Sequence, residues 1–382
     1  MANDKSFKIK NGLSAKRYLQ NSGIDTAGSN GPFGVFSTDI WTGNNSVETI
    51  TNGIDLANDG GLTWFKARAN AQSHILIDSV RGLNKTVYSN ETRAEATQSW
   101  SITYNSNGMT LPATATDPSN GLVNNNGYSM VAWTFKKEPS FFDIVTYTGT
   151  GVAGRTLSHS LGSVPGMVLI KPLTTGEWSV YHRGLDSTSP ENYYLSLDTT
   201  AARVDDVTRW NDTAPTSTEI TLGNNNRVNE NGEPFVAYLF AHDTASDSDI
   251  KCGSYTGNGS ATNREIDIGF KPSWLMIKSA SSAYNWIIID STRGEGEDPP
   301  TANVLAANLS NAEDPAGDRL FFSDSGFTLS TGSFDYNKNG DDFIYMAIRA
   351  VVPTQTLDLS TGHTFSFTPS AATDILFSNP PA

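Results

Sequence analysis

The chain is poor in cysteine, in charge and in long apolar runs, and each shortage narrows what it can be. Cys252 is the only cysteine among 382 residues. An internal disulfide and a cysteine metal cluster are therefore impossible, and folding is expected in a reducing cytosol. Charged residues make up only 17%. The longest apolar stretches, such as FVAYLFA at 235–241, fall well short of the ~20 residues that a membrane helix needs. MANDKSFKIK at the N-terminus has no apolar h-region, so neither a secretory signal nor membrane insertion is expected. No stretch shows helical periodicity over 11 or more residues, which argues against a helical fold.

What is plentiful is Gly, Asn, Ser and Thr, together with short β-branched and aromatic runs. That is the mixture of a many-stranded β protein. HILID (74–78), SITY (101–104), SMVAWTF (129–135), GMVLIK (166–171), EITL (219–222), FVAYLF (235–240), WIIID (286–290), FTLS (327–330) and FIYMAI (343–348) read as strands. TFSFT (364–368) and DILF (374–377) suggest a terminal hairpin.

The strands fall into three copies of one layout. Asn-x-Asn-Gly recurs at Asn124–Gly127, Asn229–Gly232 and Asn337–Gly340. Aromatic-Thr-Gly recurs at Trp41–Gly43, Tyr147–Gly149 and Tyr255–Gly257. An apolar run closes on Lys66, Lys171 and Lys278, and Arg-Gly follows at Arg81, Arg183 and Arg293. An interval of about a hundred residues is too long for a solenoid unit and fits whole domains. The expected fold is all-β: three tandem antiparallel β-sandwiches of jelly-roll or lectin-like type, at 33–138, 139–245 and 246–351. An N-terminal arm (1–32) and a C-terminal extension (352–382) flank them. Asn-Gly favours a type I′ hairpin before the longest strand of each repeat. The weak alternation of that strand suits burial on both faces. Lys66, Lys171 and Lys278 are expected to end equivalent strands with solvated or paired ammonium groups.

Net charge is −14, but residues 1–32 hold five basic and two acidic side chains, a balance of +3 that leaves −17 elsewhere. An acidic body repels phosphate, so nucleic acid is not an expected partner. The basic arm is suited to docking on an acidic protein, with Phe7, Ile9, Leu13, Tyr18 and Leu19 as apolar contacts.

Candidate chemistry is sparse. DYNKNGDD (335–342) opens like an EF-hand loop, yet Met346 stands where a bidentate Glu belongs. The matching turns begin with Leu122 and Arg227 in place of Asp335, so a plain turn is expected and no metal is assigned. His182, Asp186 and Ser187 lack a G-x-S-x-G elbow, and the positions taken to match His182 are Val80 and Thr292. Glu295, Glu297 and Asp298 would serve as a glycosidase pair, but they lie in a Gly/Pro-rich loop with no counterpart in the other repeats. No catalytic residue and no cofactor is expected. Trp64, Trp133, Trp274 and Trp286 read as core, whereas Trp100 and Trp210, flanked by polar residues, are the candidates for stacking on a host polysaccharide.

The runs HILIDSVRG, FFDIVTYTGTGVAGRTLSHSLGSVPGMVLIK, FVAYLFAHD, IKCGSYTGNGS, IGFKPSWLMIK and FIYMAIR resemble a repeat domain of virion proteins of tailed phages, especially marine and cyanobacterial ones. The resemblance covers about 33–351, and FKIKNGL (7–13) is similar to the start of phage tail-associated proteins. It implies a β-sandwich module without assigned activity. The expected role is that of a non-enzymatic structural protein on the virion surface, assembled in the host cytoplasm. A tail fibre, an appendage or a head decoration with a part in host attachment would fit, partnered by other virion proteins and as a homo-oligomer (a trimer if a fibre). Carbohydrate binding or depolymerisation of host polysaccharide is the alternative. The chain departs from the resemblance after the last apolar strand, where VVPTQTLDLS and further residues follow.

Overall fold

The computed structural model describes residues 34–113, 123–243, 248–260, 262–294, 303–315, 320–330, 334–350, 356–357 and 376–377. The attachment-arm residues Phe7, Ile9, Leu13, Tyr18 and Leu19, the acidic loop with Glu295, Glu297 and Asp298, and TFSFT lie outside them. Strand dominates, and the α-helices among the described residues are single turns of four residues: Leu56–Asp59, Val207–Trp210, Asn226–Asn229 and Phe334–Asn337. None is long and apolar enough to cross a membrane.

Each repeat builds the same main antiparallel sheet. Its first strand is Phe36–Thr42, Phe142–Thr148 or Ile250–Thr256. The second is Gly61–Ala67, Pro165–Pro172 or Pro272–Ser279. The third is Ile75–Asp78, Ser179–His182 or Ile287–Asp290. The last is Ser129–Lys136, Pro234–Ala241 or Asp342–Arg349. The spatial order is first–last–second–third in all three. A small second sheet accompanies each: 48–50 with 108–111 and 103–105, 155–158 with 219–222, and 264–267 with 326–329 and 320–322.

The last strand thus lies centrally, between the first and second, and its side chains are buried on both faces as its unbroken apolar reading suggests. The period of two along a strand divides those faces. In repeat 1, Leu62, Trp64, Leu76 and Trp133 enter a core shared by all three repeats, while Phe65, Ile75, Ile77 and Ala132 face repeat 1's own small sheet. Repeat 3 divides likewise: Trp274, Met276, Ile288 and Ile344 join the shared core, and Leu275, Ile277, Ile289 and Phe343 the local one. Phe135 sits at the junction, with ring centroids 5.7 Å from Phe142, 5.4 Å from Phe240 and 6.0 Å from Trp274, so it touches both other repeats. Each such aromatic pair adds about 0.5–1.5 kcal/mol beyond burial.

One local expectation is corrected. Asn-x-Asn-Gly does not make a hairpin, because the strand that follows it pairs with the first and second strands, both distant in sequence. Asn229 and Asn337 instead end helical turns. At the C-terminal end, Leu376–Phe377 pairs in parallel with Thr356–Leu357, while TFSFT, the other half of the expected terminal hairpin, lies outside the described residues.

Candidate functional site: polar joints between the repeats

The two clearest sequence markers prove to be halves of one device. The Asn124 side chain accepts from the Asn44 backbone N–H at 3.1 Å and donates to the Ser46 carbonyl at 2.6 Å. Asn229 accepts from Thr150 N–H and donates to the Val152 and Gly223 carbonyls. Asn337 accepts from Asn258 N–H and donates to the Ser260 carbonyl. Each buried amide therefore ties down the loop that leaves the first strand. Gly43, Gly149 and Gly257 begin those loops, and a Cβ at each would lie 2.0–2.1 Å from a backbone oxygen of the facing turn. Only glycine allows that approach.

The three lysines end equivalent strands as expected, but they are not solvated: Lys66, Lys171 and Lys278 are 1%, 0% and 0% exposed. Backbone carbonyls receive their ammonium groups. Lys66 Nζ reaches Ala67 at 2.7 Å and, across repeats, Ser310 at 3.3 Å. Lys171 reaches Pro172 at 2.9 Å, Gly176 at 2.8 Å and Thr92 of repeat 1 at 3.3 Å. Lys278 reaches Ser279 at 2.5 Å and Ser282 at 3.1 Å. Burial pushes them down to about 8, about 8 and about 7, respectively.

The seams between repeats repeat one pattern. Glu95 N–H donates to Leu173 O at 2.8 Å, Arg203 N–H to Ala280 O at 2.8 Å, and Glu313 N–H to Arg68 O at 2.6 Å. These bonds join repeat 1 to 2, 2 to 3 and 3 back to 1. Seven residues earlier in each case, Tyr88, Ser196 and Ala306 offer carbonyls to the residue that precedes the neighbour's third strand. Trp178 Nε1 donates to Tyr88 at 2.9 Å and Trp286 Nε1 to Ser196 at 2.9 Å. His74 fills that place in repeat 1, its Nε2 3.0 Å from Ala306 O. Three like seams, head to tail, close a three-membered arrangement.

A charged knot completes two of the seams. Asp78 and Arg81, both with side chains 2% exposed or less, pair at 2.5 Å, and the Tyr238 hydroxyl of repeat 2 donates to Asp78 at 2.7 Å. Glu95 lies 3.2 Å from the same guanidinium. In repeat 3, Asp290 and Arg293 pair at 2.5 Å, Trp133 Nε1 of repeat 1 donates to Asp290 at 2.9 Å, and Glu313 lies 2.8 Å from Arg293. Repeat 2 solves the seam differently. His182 takes the place of the aspartate, Leu185 that of the arginine, and Arg203 that of the glutamate, its guanidinium donating to Leu185 O. The structural match of His182 is thus Asp78 and Asp290, in place of Val80 and Thr292. Arg183 is correspondingly exposed and is not the counterpart of Arg81 and Arg293.

His182 does not form a triad with Asp186 and Ser187. Its Nδ1 accepts from Gly184 N–H and its Nε2 donates to Tyr345 O of repeat 3, each at 3.0 Å. Burial holds it neutral, down to about 3. Asp186 accepts from the backbone N–H groups of Thr188 and Ser189. In the DYNKNGDD segment, the Asn337 amide is committed to the loop clamp, and Asp341 accepts from Ser279 Oγ and pairs with Lys338. No group of three or more His, Cys, Asp or Glu side chains converges among the described residues.

Trp64, Trp133, Trp274 and Trp286 are core, as expected. Trp100 and Trp210 are not surface platforms: they are 9% and 3% exposed. Trp100 joins the local core of repeat 1, and Trp210 donates Nε1 to Tyr193 O at 3.0 Å. Polar flanks misled because the helical turn buries Arg209 as well, its guanidinium donating to Ser179 Oγ, while the Trp210 ring packs against Tyr181. Trp210 and Tyr181 line a shallow pocket with Val168, Pro215 and Ile220, which encloses about 10 Å³, about the room of one water.

The seam residues were missed by sequence reading. Their signal was present, since Glu95, Arg203 and Glu313 keep the repeat interval and change together with the residues at 81, 185 and 293. No curated protein and no solved structure matches the chain. One family model, described as Domain of unknown function (DUF7483), matches residues 32–350 in a single span across all three repeats, and the chain belongs to that family.

Proposed function

We propose that the protein is a non-enzymatic structural component of a tailed-phage virion, displayed on the particle surface as a tail appendage or head decoration with a part in host attachment. In this reading residues 1–32 attach it to an acidic virion protein, and the three repeats are β-sandwiches of jelly-roll or lectin-like type that form the exposed body. The observation that carries it is the use made of buried polar chemistry. Ionisable side chains buried at the seams, Asp78, Arg81, His182, Asp290 and Arg293 among them, are engaged across a repeat boundary or within the knot that spans it. That is the economy of a rigid body, and it accords with the resemblance of FVAYLFAHD, IGFKPSWLMIK and their neighbours to virion repeats.

Immunogold labelling of intact particles from a host that makes this protein tests the reading. Gold at one fixed location, lost on deletion of residues 2–30 while the purified protein still melts normally, is expected. Absence of the protein from purified particles would contradict it.

A further inference from the structure

One seam carries a carboxylate where its counterparts carry an amide. Asn90, Asp198 and Asn308 occupy the same place in the three repeats. Each accepts, through Oδ1, the backbone N–H of the residue before the third strand: His74 at 2.9 Å, Trp178 at 3.2 Å and Trp286 at 2.9 Å. The second arm of the two asparagines is an N–H donor, directed to Ser73 Oγ at 3.3 Å and Asn285 Oδ1 at 2.9 Å. In repeat 2 the second arm is Asp198 Oδ2, a buried oxygen without a hydrogen-bond partner, and the residue in the place of Ser73 and Asn285 is Glu177.

We propose that Asp198 holds a proton and offers it to Glu177, replacing the amide N–H of the other two repeats, so that the seam between repeats 1 and 2 is locked in acid and loosens as that proton leaves. The turn concerned reaches across the seam. Trp178 Nε1 donates to Tyr88 O, Gly176 N–H donates to Thr92 O, and Lys171 Nζ approaches the same Thr92 carbonyl at 3.3 Å. An ionised Asp198 facing the Glu177 carboxylate repels the turn that carries these bonds.

The charged groups around Asp198 are Glu177 on the turn and the Lys171 ammonium on the second strand, with Arg227 and Arg81 beyond Lys171. Burial first, and Glu177 after it, push the Asp198 carboxyl up to about 6, against the opposing backbone hydrogen bonds and Lys171. A carboxyl whose value is raised on folding stabilises the fold fully below its ordinary range, and that contribution is lost as pH rises through the folded value. The loss therefore sets in above the ordinary aspartate value, 3.8, and is complete once the pH passes about 6.

The test compares thermal unfolding of the full chain with that of Asp198→Asn, at pH 5 and at pH 7.5. Asp198→Asn supplies the missing N–H, so the variant should melt higher than the parent at pH 7.5, on the order of 2 °C, with the gap roughly halved at pH 5. Equal offsets at both pH values would overturn the proposal. Carboxyl ¹³C titration of Asp-labelled parent protein gives an independent reading should the variant not fold. One resonance should titrate near pH 6 and move toward the ordinary aspartate range in Glu177→Gln, whose amide provides the donor. A spectrum in which no aspartate titrates near pH 6, or one in which Glu177→Gln leaves that midpoint in place, would also refute it.

Discussion

Gly149 shows how much a single residue carries. Its Cβ would stand 2.0 Å from Glu230 O, a backbone atom that cannot rotate aside. Gly232, at φ +81°, has open space around it. Gly232→Ala should therefore cost only left-handed strain, about 1 kcal/mol, whereas Gly149→Ala should cost about 3 kcal/mol from overpacking. Chemical denaturation of the two variants gives the ranking, and equal costs would mean that loop and turn do not interlock. Lys278 gives a second test at this scale. Burial lowers its folded value to about 7, so between pH 7 and the ordinary lysine range the unfolded chain binds more protons and stability rises with pH. Measured against Lys278→Met, the parent should gain at least about 1 kcal/mol from pH 7 to pH 10. A constant difference would show that the carbonyls of Ser279 and Ser282 hold the charge fully. The burial of these lysines was not legible in the sequence. A lysine that closes an apolar run normally snorkels to water, and the carbonyls that receive Lys66 and Lys171 lie partly in another repeat.

At the scale of elements, the sequence disclosed the strands and their repetition but not their order. FVAYLF announced a strand covered on both faces, and Pro234–Ala241 is one. That it lies between the first and second strands was hidden, because both partners are remote and no spacing encodes them. The Asn-Gly signal was read as a hairpin because its local chemistry is that of a turn, whereas its amide is used at long range. The third strand's end shows what an element can bear. Asp290 holds Arg293 at 2.5 Å and receives Trp133 from repeat 1 at 2.9 Å, all in the interior. Asp290→Asn leaves a buried guanidinium with less compensation and should cost about 3–5 kcal/mol, read as a lower denaturation midpoint for the whole body. Asp186→Asn, at a loop carboxylate that caps two backbone N–H groups, should cost far less. If the two variants unfold alike, the charged knot is not what secures the seam.

For the whole molecule, three tandem domains with separate cores were expected, and the repeats instead share one interior in addition to the local cores of repeats 1 and 3. The difference has a physical cause. A sheet of four strands with apolar residues on both faces cannot satisfy both against one small partner sheet, so the second face must find another repeat. Trp133, Phe135, Phe142, Phe240 and Trp274 are where it does so. The seam from repeat 3 back to repeat 1, through Glu313, Arg68, Ala306 and His74, is what separates a closed body from a string. Small-angle X-ray scattering from the chain trimmed to residues 33–351 tests that closure most directly. A closed body of this length should give a radius of gyration of about 20 Å. A value near 28 Å, on the order expected for three such domains in a line, would contradict it.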